Sequence, residues 1–312
     1  MVADLTAGAT LAVTGATGFV GRSVLEAAGG AGLRVQALAR RLPAGQAPRG
    51  VSFVRGDLAD RTALAELTRG ADAVIHIAGL TRTLNDRDFE TVNVLGTQTA
   101  MEAARAAGMS RFVFVSSLAA REPQLSAYGA SKARAEALVQ ASGLDWTIVR
   151  PPAVYGPHDA EMFELFQSAA RFGIVPLPPG GRTSLIHVDD LARLLIACTG
   201  DRAVGQVLEP DDGHPGGYSQ PQLAQLIGQA VGRKRVLTPQ LPAAALMLAA
   251  KLDRLVRRGN AKLTPDRARY MSHPDWVARA AYHPSPELWQ PQIDAGHGLA
   301  QTAAWYRRAG WL

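Results

Sequence analysis

The segment Gly15-Ala16-Thr17-Gly18-Phe19-Val20-Gly21 decides the fold, because its three glycines join an apolar run to an amphipathic stretch. Residues 11–13 have the apolar character of a buried parallel strand, and residues 23–28 are predicted to be helical. The first glycine permits a tight turn, the second lets the backbone approach a ligand, and the third lets helix and strand pack closely. A phosphate then lies at the positive end of the helix. The segment therefore predicts a turn that binds the pyrophosphate of a dinucleotide.

The end of the second predicted strand, residues 34–39, indicates which dinucleotide is bound. Enzymes that use NAD place a carboxylate there for the ribose hydroxyl groups, whereas this chain has Arg40 and Arg41. A guanidinium group forms charge-assisted hydrogen bonds with phosphate, so the pair favours the 2′-phosphate of NADP, with Arg40 nearer to the strand. The alternative is that both arginines are ordinary solvated side chains.

Two further strands, residues 51–54 and 73–79, are predicted to end beside the cofactor. Asp57 follows the first of them, and it is expected either to accept a hydrogen bond from the adenine amine or to cap a helix. The second closes with Ile77-Ala78-Gly79, where small residues let the backbone pass near the cofactor. His76 has apolar neighbours, which favours a packed side chain with satisfied hydrogen bonds over a catalytic one.

A second motif, Tyr128-Gly129-Ala130-Ser131-Lys132, places a phenol and an ammonium group one helical turn apart. A free phenol has a pKa near ~10, and a nearby cation is needed to favour the phenolate near neutral pH. The fifth predicted strand, residues 111–115, delivers Ser116 and Ser117 to the same edge of the sheet. Ser117 is expected to hydrogen-bond a substrate oxygen, and Tyr128 to transfer a proton while hydride moves to or from the nicotinamide. The alternative for this motif alone is a pair of surface residues.

At these motifs the chain resembles the extended branch of the short-chain dehydrogenase/reductase superfamily. The resemblance also rests on residues 92–97, 150–157 and 187–192. It implies a Rossmann-type α/β fold, in which a doubly wound parallel sheet carries a smaller C-terminal substrate lobe. The expected domains are an NADP-binding domain at residues 1–172, completed by residues 184–208, and a substrate-binding lobe that takes most of residues 173–312.

The resemblance implies a role for each matching residue. Ser117, rather than Ser116, matches the catalytic hydroxyl group, Tyr128 the acid/base and Lys132 its electrostatic partner. Asn93 matches a helical asparagine near the site, which is either a proton relay or a brace between its helix and the neighbouring loop. The helices that carry Asn93 and Tyr128 are those through which the resemblance implies a homodimer.

Further residues are expected to support the cofactor or the substrate. Pro151 and Val154 match the segment around the nicotinamide amide, and His187 with Asp190 matches a structural pair near the substrate. The residues expected to contact the cofactor are Gly15, Ala16, Thr17, Gly18, Phe19, Val20, Arg40, Arg41, Asp57, Leu58, Ile77, Ala78, Gly79, Asn93, Val115, Ser116, Tyr128, Lys132, Pro151 and Val154.

Departures from the family pattern narrow the reaction. Sugar-nucleotide dehydratases have an acidic pair directly after the catalytic hydroxyl residue, where this chain has Leu118 and Ala119, so elimination is disfavoured. Nucleotide-sugar epimerases keep NAD bound and carry a substrate loop where residues 117–128 leave little room. A carbonyl reductase or alcohol dehydrogenase is favoured, with an epimerase as the alternative. A non-catalytic dinucleotide-binding structural or sensor protein is the alternative from another class.

The second half of the chain carries weaker signals. Residues 174–181 are predicted to form an irregular loop and residues 206–209 a strand, and Ser219 is predicted to be the N-cap of a helix. The tail after residue 263 resembles members similar to dihydroflavonol reductase and 3β-hydroxysteroid dehydrogenase. That likeness implies a small, apolar or cyclic carbonyl substrate.

The most apolar stretch, residues 241–250, is followed by a basic run up to Lys262. It is too short to span a bilayer, so no transmembrane segment is expected. Three interpretations stay open: a buried helix, a lid over an apolar substrate, and an interfacial helix that contacts anionic lipid at the membrane periphery.

Composition sets the remaining limits. The 312 residues, 47% of them hydrophobic, suffice for a Rossmann domain and a smaller lobe. The single cysteine, Cys198, excludes an internal disulfide and is expected to be a buried filler. The net charge of +6 forms no basic stripe interleaved with aromatic residues, so no nucleic-acid partner is expected, and no cluster has metal-ligand spacing. The N-terminus lacks signal-peptide features, which predicts a cytoplasmic protein.

Overall fold

The computed structural model describes residues 7–178, 180–239, 248 and 265–312. As far as it is described, the chain divides into two compact units. Unit 1 comprises the chain up to Pro151 together with Leu191–Glu209 and Tyr282–Gln290, and unit 2 comprises Pro152–Asp190, the described part of Pro210–Ala281, and Pro291–Leu312. The predicted segment at residues 241–262 lies outside the described residues, apart from Leu248.

The strands are β1 (Thr10–Thr14), β2 (Arg34–Ala39), β3 (Val51–Arg55), β4 (Ala73–His76), β5 (Arg111–Val115), β6 (Asp145–Val149), β7 (Ala153–Tyr155), β8 (Arg182–Thr183), β9 (Leu185–His187), β10 (Gln206–Leu208), β11 (Tyr218–Ser219) and β12 (Asp275–Trp276). The helices are α1 (Phe19–Gly30), α2 (Arg61–Thr68), α3 (Asp86–Phe89), α4 (Gly96–Ala106), α5 (Ala127–Gln140), α6 (Phe163–Phe172), α7 (Val188–Ala197), α8 (Gln220–Ala230), α9 (Pro265–Met271) and α10 (Ala295–Arg308). A π-helical turn, Glu90–Leu95, joins α3 to α4.

Unit 1 contains a seven-stranded sheet in the order β10-β6-β5-β4-β1-β2-β3, and all its pairs are parallel. The chain winds outward from β1 in both directions, so the order reverses between β1 and β4. Ligands of such sheets bind at this reversal, outside the carboxyl ends of the strands. The doubly wound parallel α/β sheet expected from the sequence is therefore confirmed.

The observed boundaries correct one prediction. β4 ends at His76 instead of continuing to residue 79, because its neighbour β1 ends where Gly15 adopts a φ of +72°. The amide of Ala78 then donates to the hydroxyl oxygen of Thr14 at 3.2 Å. Ile77, Ala78 and Gly79 consequently form a loop beside the glycine turn.

The unit 1 core surrounds the middle strands. Phe112 and Phe114 of β5 and Ile148 of β6 are fully buried, as expected for strands covered on both faces. The thiol of Cys198 is also buried, which raises its pKa to about 12, in agreement with the predicted role as a filler. The guanidinium group of Arg111 donates to the carbonyl oxygens of Cys198, Gly200 and Asp145, so this buried cation has satisfied hydrogen bonds.

Unit 2 contains two small sheets, with β7 paired to β9 and the order β11-β8-β12 in the other. Helices α6, α8 and α10 supply most of its core, including Phe166, Ile227 and Tyr306. The predicted N-cap is confirmed, because the Ser219 hydroxyl oxygen accepts from the amide of Gln222 and the Gln222 side chain bonds the Ser219 amide in return. This capping box fixes the start of α8.

Two glycines of α1 provide a test of the close packing between helix and strand. A Cβ atom at Gly21 would lie 2.6 Å from the Cα of Ala16, whereas one at Gly29 would meet nothing within 4 Å. Gly21→Ala should therefore lower the free energy of unfolding by about 1–3 kcal/mol through overpacking. Gly29→Ala should raise it by about 0.5–1 kcal/mol, because alanine loses less entropy in a helix. Denaturant unfolding measures both, and equal effects would contradict the packing described.

Candidate active site

The glycine turn forms a cradle with the properties that a pyrophosphate requires. A Cβ atom at Gly15 would lie 2.7 Å from the amide nitrogen of Ala78, and the residue has a positive φ, so only glycine fits. Gly18 is the N-cap of α1 and no side chain caps this helix end. The first-turn amides around Phe19 and Val20 are thus left for an anion to accept from, beside exposed Thr17. The chain fits a dinucleotide here.

The adenosine end of the expected site is polar and open. Arg40 and Arg41 directly follow β2, and both side chains are exposed. Asp57 is exposed, and its carboxylate accepts from the amide of Ala59 at 2.9 Å. The helix cap considered for Asp57 is instead supplied by Asp60, which accepts from the amide of Ala63 and begins α2.

Leu58, which was expected near the cofactor, and His76, which was expected to be a packed side chain, both belong to the packed interior. Leu58 is buried in the unit 1 core, and a Cβ atom at Gly96 would lie 2.7 Å from its Cδ1 atom. His76 is also buried, with its ring nitrogens 2.8 Å from the Thr14 hydroxyl and 3.1 Å from the Thr97 hydroxyl. Burial lowers the pKa of His76 to about 3, and the charge of Lys132 acts in the same direction. The imidazole is therefore neutral and structural, as expected.

Asn93 lies in the π-helical turn and its amide group holds a loop in place. Its oxygen accepts from the amide of Leu80 at 2.7 Å, and its nitrogen donates to the Leu80 carbonyl at 3.0 Å and to the Ser131 hydroxyl at 2.9 Å. The side chain thereby joins the loop after β4 to helix α5. This geometry favours the bracing role over a proton relay.

The ammonium group of Lys132 lies at the centre of the site. It is buried, donates to the carbonyl oxygen of Val115 at 2.9 Å, and stands 4.9 Å from the centre of the Phe114 ring. A Cβ atom at Gly79 would come within 3.2 Å of its nitrogen, so the loop after β4 passes directly over the charge. Burial lowers the pKa of Lys132 to about 8, while the carboxylate of Glu136 opposes the decrease.

Tyr128 and Lys132 lie one turn apart on α5, whose N-cap Ser126 accepts from the amide of Gly129 at 2.9 Å. The Tyr128 side chain is half-buried, and its ring centre lies 5.9 Å from that of Phe89. A Cβ atom at Gly129 would meet the carbonyl oxygen of Ala119 at 2.6 Å. The start of α5 is therefore packed against the turn that follows Ser117.

The two adjacent serines have different partners. The hydroxyl group of Ser116 donates to the carboxylate of Glu136. The hydroxyl oxygen of Ser117 accepts from the amide of Ala119 at 3.2 Å, and among the described residues no acceptor takes its proton. Ser117 can therefore donate to an incoming oxygen atom, which agrees with its assignment as the catalytic hydroxyl residue.

Sequence reasoning missed a chain of buried ion pairs at this edge of the sheet. Glu136 pairs with Arg150 at 2.6 Å, Arg150 with Glu209 at 3.4 Å, and Glu209 with Arg121 at 3.1 Å. Ser116, Arg150 and Glu209 each directly follow one of the neighbouring strands β5, β6 and β10. The sequence contains one signal for this chain of ion pairs: Glu136 lies four residues after Lys132 on the same helix.

The remaining predicted residues are divided between the units. In unit 1, Pro151 is buried and its carbonyl oxygen accepts from the amide of Leu118 at 3.2 Å. In unit 2, Val154 is half-buried in β7. The carboxylate of Asp190 accepts from the amides that follow Pro291, at 3.0 and 2.9 Å, and the His187 ring packs edge-on against Tyr155 at 5.3 Å. These contacts are structural.

The described residues contain no group of three or more His, Cys, Asp or Glu side chains that could hold a metal ion. Within the same residues, none of the helices has the length and apolar character required to cross a membrane.

Comparisons with known proteins support a nicotinamide cofactor and this fold. A family model described as NAD(P)H-binding matches residues 15–202. A ceramide reductase from Caulobacter vibrioides is 40% identical over 311 residues, which cover 97% of this chain and 96% of that protein. A 4-hydroxy-2-methyl-3-oxo-4-farnesyl-3,4-dihydroquinoline-1-oxide ketoreductase from Stigmatella aurantiaca is 34% identical over 65% of this chain and 68% of its own length. The solved structure of MoeE5 with UDP-glucose and NAD superposes with a TM-score of 0.73 and 26% identity, covering 97% of this chain and 99% of that one.

The buried charge of Lys132 makes a prediction about stability. The folded chain releases this proton near pH 8, whereas the pKa of a free lysine is 10.5. The folded state therefore binds fewer protons between these pH values and gains stability as the pH rises through them. Lys132→Met removes the effect. Its stability relative to the wild type should be highest below pH 8 and should fall by about 3 kcal/mol by pH 10.5.

Urea unfolding of the cofactor-free proteins over this pH range measures the difference. Lys234→Met is the matched control, because it makes the same substitution at an exposed lysine. A constant difference for Lys132→Met would contradict the burial of its charge.

Proposed function

Because the chain belongs to the extended short-chain dehydrogenase/reductase superfamily, we propose that it is an NADP(H)-dependent oxidoreductase that interconverts a carbonyl and an alcohol through Ser117, Tyr128 and Lys132. The observation that carries the proposal is the buried ammonium group of Lys132, held one helical turn from Tyr128 and directly beneath the loop at Gly79. A buried cation of this kind is costly, and a catalytic requirement for its charge accounts for its retention.

The proposed reaction assigns one task to each side chain. The reduced nicotinamide, when bound, supplies hydride to the carbonyl carbon. Ser117 donates a hydrogen bond to the carbonyl oxygen, and Tyr128 transfers its phenolic proton to the same oxygen. The ammonium group of Lys132 stabilises the phenolate that remains, because an opposite charge nearby favours the ionised form. Oxidation of the alcohol follows the same steps in reverse.

The preference for NADP rests on the exposed guanidinium groups that follow β2. Arg40 and Arg41 would pair with the 2′-phosphate, while the cradle at Gly15 and Gly18 holds the pyrophosphate. The other unit 1 residues expected at the cofactor, Ile77 to Gly79 and Pro151, would line the nicotinamide end.

The substrate that we propose is an apolar, lipid-like ketone. The support is the 40% identity to the ceramide reductase, which extends over nearly the whole of both chains and therefore includes the second unit. The sequence predicted a small apolar or cyclic carbonyl substrate. The identity to the ceramide reductase favours, within that class, an N-acylated long-chain amino ketone or its alcohol. The identity to a second reductase, which acts on a farnesylated ring ketone, agrees with an apolar substrate.

A nucleotide-sugar epimerase is the second candidate, and the likeness to a structure that contains UDP-glucose and NAD favours it. Leu118 and Ala119 leave no acidic pair after Ser117, which argues against dehydration. An epimerase returns hydride to the same substrate and consumes no cofactor overall, so cofactor oxidation separates the two activities. In a non-catalytic dinucleotide-binding protein, the cofactor would bind but no variant of Tyr128 would alter a turnover rate.

Turnover tests the catalytic assignment. With NADPH and an N-acylated long-chain amino ketone, Tyr128→Phe should lower kcat by about 10²–10⁴-fold, because the proton donor is lost. Ser117→Ala should lower kcat more than the matched variant Ser116→Ala does, because the hydroxyl group of Ser116 is already hydrogen-bonded to Glu136. The thermal shift produced by NADPH should survive in Tyr128→Phe. Full activity of that variant would refute the proposed acid/base, and interconversion of UDP-sugars without NADPH oxidation would favour the epimerase.

The cofactor preference has its own test. Arg40→Ala should weaken NADPH binding by about 10–100-fold, which is the loss expected for a charge-assisted hydrogen bond, and leave NADH binding unchanged. Arg34→Ala is the control, because Arg34 is an exposed arginine at the opposite end of the same strand. Titrations of both cofactors with each variant give the ratio of the NADPH affinity to the NADH affinity. Equal affinities of the wild type for NADH and NADPH would remove the argument for NADP.

A further inference from the structure

In unit 2, the C-terminal ends of two helices meet at one surface. The guanidinium group of Arg233, in the loop after α8, donates to the carbonyl oxygen of Ala170 in α6 at 2.6 Å. Farther along this loop, the amide of Leu237 donates to the Gly173 carbonyl at 2.8 Å and its carbonyl accepts from the Val175 amide at 2.9 Å. The loop is therefore fastened along the end of α6.

Two large apolar side chains are exposed on this surface. Phe172 at the end of α6 and Leu237 in the loop both have 71% of their surface accessible, the highest values among the exposed large hydrophobic side chains of the described residues. Exposure of an aromatic and an aliphatic side chain on adjacent backbone segments is unfavourable in water. An apolar partner at this surface would remove both side chains from water.

Four exposed cations surround this apolar pair: Arg171, Arg233, Lys234 and Arg235. Together with Phe172 and Leu237 they define what we call the basic face. A surface depression lined by Gln229, Gly232, Arg233 and Lys234 opens beside it. One guanidinium group, that of Arg233, also satisfies a helix carbonyl, but the other three cations are not needed to end α6 or α8.

In the chain segments that build the basic face, Glu164 at the start of α6 is the one acid against four cations. Residues 165–178 and 213–239 include no aspartate or glutamate, and neither do residues 295–312, from which Arg307 donates to the carbonyl of Ala230 at the end of α8. The positive charge of this face is therefore not neutralised by its own segments. An anionic partner fits it, and the exposed Phe172 and Leu237 require that this partner also accept apolar side chains.

We propose that the basic face binds the surface of an anionic lipid bilayer, with Phe172 and Leu237 inserted among the acyl chains and the four cations paired with lipid phosphates. Apolar side chains flanked by lysine and arginine are the pattern of interfacial membrane binding, and each cation adds to the attraction of an anionic surface. A nucleic acid would leave the aliphatic Leu237 without a partner. The inference stands apart from the proposed lipid ketone, because binding is measured without substrate or turnover.

Flotation of the full-length protein with vesicles tests the proposal. Vesicles of phosphatidylcholine alone are compared with vesicles in which part of the phosphatidylcholine is replaced by phosphatidylglycerol. The wild type should float with the anionic vesicles only, and salt should release it. Lys234→Glu with Arg235→Glu should weaken binding by at least about tenfold, and Phe172→Ser with Leu237→Ser should weaken it on the same anionic vesicles.

Matched controls separate the basic face from net charge and general apolarity. Arg34→Glu with Arg49→Glu makes the same change of charge at exposed sites of unit 1, and Leu84→Ser with Leu95→Ser removes exposed leucines there. Both should bind as the wild type does, and an unchanged NADPH thermal shift establishes that every variant is folded. Equal binding to neutral vesicles, equal losses in the controls, or no flotation of the wild type would overturn the proposal. The proposal would also be overturned if the wild type does not float and Phe172→Ser with Leu237→Ser changes the oligomeric state. The basic face would then be a contact between proteins.

Discussion

The buried ammonium group of Lys132 is the constraint on which the carboxyl edge of the sheet depends. The free energy lost when a cation is removed from water must be offset by nearby dipoles and anions. The carbonyl oxygen of Val115 receives its hydrogen bond, and the Phe114 ring lies against it. The neighbouring His76 remains uncharged, with a pKa near 3, so no second cation competes. Glycine at position 79 then lets the chain pass over the charge without covering it by a side chain.

The compensating negative charge comes from Glu136, and this carboxylate is itself held by a longer chain of charges. Positive and negative groups alternate from Glu136 through Arg150 and Glu209 to Arg121. Buried ion pairs contribute little net stability, but their geometry is specific, because each partner must be in place to compensate the next. The chain links the residues that follow β5, β6 and β10 and thereby fixes the strand ends from which Ser116 and Ser117 emerge.

The sequence predicted those features that are encoded by neighbouring residues. The turn from Gly15 to Gly21 and the pair Tyr128 and Lys132 were identified because backbone conformation and helical spacing are local properties. The cap of α2 is not a local property in this sense, because Asp57 and Asp60 offer the same chemistry and only the position of the Ala63 amide selects Asp60. The ion pair of Arg121 with Glu209 joins residues 88 positions apart, and no local pattern reveals such a contact. The expected contact of Val154 with the cofactor stays a prediction, because that residue belongs to unit 2.

Unit 1 is assembled from distant parts of the chain, so it cannot fold completely while the first of these parts is being synthesised on the ribosome. When the polypeptide has been made as far as Pro151, Arg121 and Arg150 are present but the carboxylate of Glu209 that they share is not. The amide of Glu209 in turn donates to the carbonyl oxygen of Tyr282. The β10 edge of the sheet therefore forms only after residues 206–209 and Tyr282 have been made, and until then the chain of ion pairs ends at Glu136 and Arg150.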